Sequence, residues 1–399
     1  MADRHPSSRS YLVGALLART GDEMAGPALL LAGLALTGSA TGASSLLAAL
    51  TVSAAIGGPV LGALLDRSPR PGRLLAGALV LYATGLAVAL GALGRGPVAV
   101  TLLVAVVTGL LGPALSGGWT AQLPRTVPAG RLPRANALDA MTFGAAGLAG
   151  PALAGGAAEA LGAPAAVVVS AVLIAAAAPA AWRLPPVSGP TAKSPAAPLT
   201  GFVTSGVRAI AGSRPLARAT LTSVLSCSAQ GMMTVCLPLL GERAAGGAGF
   251  GAALLSCAAL SALLANAALA RHPHAVAPDT VLWAAPLLQA AALALAATGG
   301  PVALVVAVAV VGLAEGPQLT ALFAVRHREA PERLRAQVFT TGASLKITGF
   351  AVGAAVAGPL TDRFPSGALL VAAGIAALAV PACFAVRPGG GPTRPTTHA

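Results

Sequence analysis

Charge is what this chain has least of. Of its 399 residues only 9% are Asp, Glu, Lys or Arg, and just 12 are acidic. A soluble domain carries about 25% charged residues, so too few remain to cover a water-facing surface. The length alone would allow two or three soluble domains, and this shortage excludes them. Aromatic residues are scarce too, at 3%, and none interleave with the arginines. The net charge of +13 is therefore read as a set of membrane-orientation signals, and no nucleic-acid partner is expected. The four cysteines, Cys227, Cys236, Cys257 and Cys383, lie inside apolar runs without CxxC spacing. That excludes a disulfide framework and leaves core thiols. Of the five histidines only His272 and His274 are close, with no further ligand nearby, so no metal is expected. No G-x-x-x-x-G-K-[ST] occurs and no long coupling loop for a separate ATPase is present, which argues against the permease of an ATP-driven system. No cofactor is expected.

Apolar residues, by contrast, make up 56% of the chain, with 49 glycines and 32 prolines among the total. In lipid-embedded helices glycine marks close packing and proline marks kinks. A spanning helix needs roughly 20 apolar residues. Such runs fall at Tyr11–Leu36, Ser44–Leu65, Arg73–Leu93, Pro97–Gln122, Ala135–Ala158 and Pro164–Trp182. After a polar stretch they resume at Ala217–Leu240, Gly249–Ala270, Thr280–Ala297, Val302–Val325, Ala336–Leu360 and Gly367–Val386. The expected fold is an all-α membrane protein of twelve transmembrane helices in two pseudo-symmetric six-helix bundles. The first bundle covers residues 1–182, a cytoplasmic linker 183–216, and the second bundle with a short cytoplasmic tail 217–399. Arg4 and Arg9 precede the first run as in a signal peptide. That run, however, holds Arg19, Asp22 and Glu23, so an uncleaved first helix is expected.

Assigning connections alternately places Arg67, Arg70, Arg73, Arg125, Arg131, Arg134, Arg183, Lys193, Arg326 and Arg335 on the side of the termini. Only Arg95, Arg243 and Arg363 fall on the other side. By the positive-inside bias the termini are cytoplasmic, in a multi-pass protein of the cytoplasmic membrane. The linker holds Pro185, Pro186, Pro190, Pro195 and Pro198, and residues 201–213 can form a short amphipathic surface helix. The halves resemble each other: an offset of 201 residues relates Arg134 to Arg335 and Pro164 to Pro365. A repeat of six helices is a transporter architecture.

Between the second and third runs stands Gly62-x-x-x-Asp66-Arg67-x-x-Arg70. Gly62 permits close helix approach, and Asp66 ends an apolar run among arginines. This motif resembles the loop signature of the major facilitator superfamily, and with twelve spans and a central loop the resemblance covers the whole chain. It implies that Asp66 lies near the start of the eleventh helix at Ala336–Val338, where a positive helix end stabilises a carboxylate. That contact would latch the cytoplasmic gate; the alternative is a solvated turn. Gly150-Pro151-x-x-Ala154-Gly155 in the fifth run looks like the Gly-Pro motif of the superfamily's drug:proton antiporter members, although Gly147 sits three rather than four residues upstream. Two departures stand out. Pro97–Gln122 contains no basic residue, and the signature of the second half appears only as Gly358-Pro359-Leu360-Thr361-Asp362-Arg363, on the outer side.

Ionisable groups at membrane depth are costly and mark function. Asp22 and Glu23 stand three and four residues after Arg19, so either acid can share its helix face and pair with it. The expectation is that Asp22 or Glu23 carries a coupling proton, whose release Arg19 tunes; a static ion pair is the alternative. Asp139, one turn inside the fifth run, reads as reaching the inner interface. Glu315 and Lys346 form either an interhelical salt bridge or part of a substrate cavity, with Gln230 and Gln318 as polar contacts. Asn266 reads as an interhelical hydrogen bond. These readings converge on a monomeric secondary transporter in the lipid bilayer. It moves a small hydrophobic or amphiphilic molecule by alternating access, as proton-coupled efflux. Proton-linked uptake of a nutrient or metabolite is the alternative within the class. A polytopic membrane enzyme is the alternative outside it.

Overall fold

The structure, a computed structural model, describes residues 8–93, 95–187, 199–245 and 248–385. Arg4, His5, Pro190, Lys193, Pro195, Pro198, Arg387, Arg394 and His398 lie outside these residues, as do the side chains of Asp362 and Arg363. The described chain forms thirteen α-helices and no strand. They are α1 (Ser8–Thr37), α2 (Ala40–Arg67), α3 (Pro71–Ala92), α4 (Val98–Gly109), α5 (Leu132–Leu161), α6 (Ala163–Trp182) and α7 (Leu199–Gly212). The remainder are α8 (Arg214–Ala245), α9 (Ala248–Arg271), α10 (Pro278–Ala296), α11 (Pro301–Glu329), α12 (Arg335–Arg363) and α13 (Pro365–Ala385).

Local chemistry sets where they begin. Pro71, Pro278, Pro301 and Pro365 open helices at the position whose missing N–H has no intrahelical partner anyway. Ser39 caps α2 by accepting from the Gly42 N–H at 3.0 Å. The helices outrun the apolar stretches, most visibly at α8 and α11, because polar residues complete their terminal turns. The expected span Pro97–Gln122 is one crossing segment, Val98–Gly118, but an irregular one: regular α4 ends at Gly109, and a π turn at Ala114–Gly118 follows. Pro113 lies at the join, and residues freed from the regular ladder take the wider turn.

Among the described residues eleven helical segments are long and apolar enough to cross a membrane: α2, α3, α4 together with the π turn that continues it to Gly118, α5, α6 and α8–α13. α1 is also long enough, at 30 residues, but Arg19, Asp22 and Glu23 interrupt its apolar run. That is why the expected twelfth span is not among the eleven. Outward-facing Leu81, Leu103, Val172, Leu264 and Leu378 are exposed, which suits hydrocarbon rather than water.

One apolar core runs through α1–α6, around Tyr11, Leu29, Leu79 and Trp119, and takes in Phe323, Ala336 and Phe339 from later helices. A second lies within α8–α13, around Met232, Leu237, Leu293 and Val311. The first six helices meet the later ones where α2 ends and α12 begins. Phe143 of α5 packs at a tilt against Phe323 of α11, with ring centroids 5.7 Å apart, and Phe323 against Phe339 of α12 at 5.9 Å. These contacts, like that of Gly144 on Leu263 of α9, sit at the arginine-rich end of the helices. Both α5 and α12 follow a three-residue 3₁₀ turn, Ala129–Arg131 and Glu332–Leu334. The sequence offset of 201 brings these two turns to within two residues of each other.

Candidate functional site

At the arginine-rich end, Asp66 occupies the last turn of α2. Its two carboxylate oxygens accept from the Ala336 N–H at 2.9 Å and the Gln337 N–H at 2.8 Å. These are among the N–H groups that a helix start leaves without intrahelical partners, and the α12 dipole adds to their pull. One carboxylate thus joins α2 to α12 by two charge-assisted bonds. The approach requires glycine at 62, because a Cβ there would overlap the backbone of Gln337 and the Thr340 hydroxyl. Farther along, the Ser344 hydroxyl donates to the Ala54 carbonyl at 2.9 Å.

Arg125 and Arg335 bring positive charge to Asp66. Burial moves the Arg125 guanidinium below its ordinary value and repulsion from Arg335 adds to this, while Asp66 and Glu332 oppose it. Arg67 is half-buried and Arg70 is exposed at the start of α3. α7 does more than lie on a surface. Ser205 donates to the Gln337 side chain at 3.1 Å, and Gly206 packs on that same side chain.

Arg19 is not paired with Asp22 or Glu23. Its guanidinium turns into the core and meets Asp139 of α5 at 2.9 Å, and both side chains are buried. Thr120 accepts from it at 2.9 Å, Thr142 also accepts, and the Phe143 ring lies 3.7 Å from its carbon. Tyr11 and Thr120 each donate to Asp139, at 3.0 and 2.9 Å. Spacing along α1 allowed an acid on the Arg19 face, but α5 offers a dry, multiply bonded partner. Buried charges persist where they are both paired and hydrogen-bonded. Asp139 therefore sits in the core and does not reach the interface.

Asp22 and Glu23 are left without a cation: among the described residues neither makes an ion pair. Asp22 is half-buried and accepts from the Tyr82 hydroxyl at 2.7 Å. Glu23 is exposed, beside Gly150 of α5, where a Cβ would overlap its side chain and backbone. Of the Gly-Pro motif, Gly150 thus sets how near α1 comes to α5. Pro151 is exposed, and Gly155 faces open space.

In the second half Glu315 of α11 is half-buried. It accepts from Gln230 of α8 at 2.8 Å and from Gln289 of α10 at 3.1 Å. It makes no salt bridge with Lys346 of α12; the two interact only at longer range. Two amides supply donors without the cost of desolvating an ammonium, and Lys346 stays half-buried. Gln318 instead donates to the Ser226 hydroxyl at 2.9 Å, and Thr320 donates to Asn266 at 2.8 Å. Sequence reasoning missed Tyr82 and Gln289. The available signals were the presence of only 2 tyrosines in the chain and an amide midway along an apolar run.

The arrangement is therefore a clasp at one end, a buried ion pair in the first core, and three carboxylates without fixed cations. The sequence profile of the Major Facilitator Superfamily matches residues 11–345. No curated protein matches in sequence. The fold is similar to that of the human organic anion transporter MFSD10 (TETRAN), with TM-score 0.77 and 16% identity over 96% of this chain and 100% of that one. It is similar to a bacterial homologue of the iron transporter ferroportin in an outward-facing state (TM-score 0.76, 15% identity, 95% and 98% covered). The fucose:proton symporter FucP of E. coli is similar too (TM-score 0.70, 16% identity, 96% and 100% covered). At such identities the likeness is one of fold.

Proposed function

The chain belongs to the major facilitator superfamily and is a transporter, not an enzyme; on that premise we propose that it is a proton-coupled exporter of a small hydrophobic or amphiphilic molecule. In this reading α1 is a twelfth span, and the helices form two six-helix bundles joined by the 183–216 linker. Both termini lie in the cytoplasm and a monomer works alone in the cytoplasmic membrane. The bundles rock about a cavity between them.

The observation that carries proton coupling is the separation of Arg19 from Asp22 and Glu23. With Asp139 holding the guanidinium, the two acids have no fixed countercharge. A carboxylate without one can shed its charge by taking a proton when the cavity closes over it. The Tyr82 hydroxyl keeps Asp22 oriented, and Gly150 places α5 against Glu23. Glu315, Gln230, Gln289 and Lys346 supply the polar groups of the opposite wall, and the Asp66 clasp seals the cytoplasmic end. Export rests on the resemblance of Gly150-Pro151 to the exporters' Gly-Pro motif, with Gly150 lying against Glu23. Proton-linked uptake is the second reading, favoured by the likeness to a fucose:proton symporter.

The test is flux in proteoliposomes under an imposed pH gradient, across a panel of lipophilic cations, organic anions and sugars. Asp22→Asn with Glu23→Gln is expected to abolish gradient-driven flux of whichever compound moves. Undiminished flux in the double variant would reject the coupling role. Accumulation down the proton gradient rather than against it would replace export with uptake.

A further inference from the structure

The outer face of α3 and α6 carries an apolar groove. It has a volume of about 580 Å³ and is lined by Ala76, Gly77, Val80, Leu81 and, from α6, Ala178 and Trp182. Its apolar walls are small at the base and exposed at the rim, with Leu81 62% and Trp182 56% accessible. The spacing on α3 places Arg73 at the head of this stripe, three and four residues before Ala76 and Gly77. Its guanidinium lies 4.8 Å from the centre of the Trp182 ring. Arg70 and Arg183 are exposed at the same end. The Val187 N–H bonded to the Pro69 carbonyl at 3.0 Å ties the two chain segments together. No acid occurs in residues 67–81 or 175–187.

We propose that this groove holds one anionic phospholipid, its acyl chain along α3 and α6 and its phosphate between Arg73, Arg70 and Arg183. The charge pattern selects the occupant. A neutral acyl chain needs only the apolar walls, whereas three arginines without an acid at the mouth favour a negative headgroup. A guanidinium stacked by its face keeps its edge donors free for a phosphate. The site does not depend on the coupling ion or the direction of transport.

Quenching of Trp182 tests it. The full chain is placed in nanodiscs of phosphatidylcholine containing brominated-acyl phosphatidylglycerol or brominated-acyl phosphatidylcholine. The Trp182 signal is taken as the difference from Trp182→Phe. Half-maximal quenching is expected at a mole fraction about tenfold lower for the anionic lipid. Replacing Arg70, Arg73 and Arg183 together by Gln is expected to erase that difference. Gly77 has open space where a side chain would point, so Gly77→Leu should leave the melting temperature unchanged while reducing quenching by both lipids. Coincident curves for the two lipids would overturn the proposal, as would a headgroup preference that survives the triple variant.

Discussion

Arg19 shows how one side chain redistributes the roles of its neighbours. Two acids follow it within a turn on α1, yet it spends its donors on Asp139, Thr120 and Thr142. The result is a neutral, dry cluster beside two acids that stay without a cation. The two kinds of acid should therefore respond differently to mutation. Asp139→Ala leaves a buried guanidinium unpaired and should cost about 3–5 kcal/mol. Asp22→Asn disturbs one hydrogen bond at a half-buried position and should cost about 1 kcal/mol. Thermal unfolding in detergent checks this: a large fall for Asp139→Ala against a small one for Asp22→Asn is expected. Equal falls would mean that the acids share one role.

Among the elements, contacts between helices turn on which small residue stands at the crossing. Gly150 and Gly155 belong to one motif, but only Gly150 faces a neighbour, at Glu23 and Met24 of α1. Gly150→Val should force α1 away and destabilise by about 1–3 kcal/mol. Gly155→Val, facing open space, should stay within about 0.5 kcal/mol. Melting temperatures of the two variants decide it. The sequence could be read this far because helix existence follows from apolar runs. The Gly62–Asp66 motif also points to the start of α12 through its resemblance to a family. What stayed illegible is the choice of partner between distant helices. Arg19 to Asp139, Tyr82 to Asp22 and Gln289 to Glu315 join residues far apart in the chain, and no spacing rule ranks one far partner above another. The π turn after α4 was hidden for a related reason: a count of apolar residues does not register one.

For the whole molecule, the state seen here is sealed at the arginine-rich end, with Asp66 on α12 and Phe143, Phe323 and Phe339 packed across the halves. Glu23 is exposed in this state. In the proposed cycle, rocking to the opposite state would bury it, which a protonated carboxyl tolerates far better than a charged one. Acid should thus favour opening of the sealed end, and the Asp66 clasp should oppose it. The direct measurement is the distance between spin labels at Pro69→Cys and Arg333→Cys, in a chain whose native cysteines are replaced by alanine, by pulsed electron resonance at acidic and basic pH. The account predicts a longer distance in acid, and a long distance at both pH values when Asp22→Asn and Glu23→Gln are present. A distance that ignores pH, or a pH response that persists in the double variant, would contradict it.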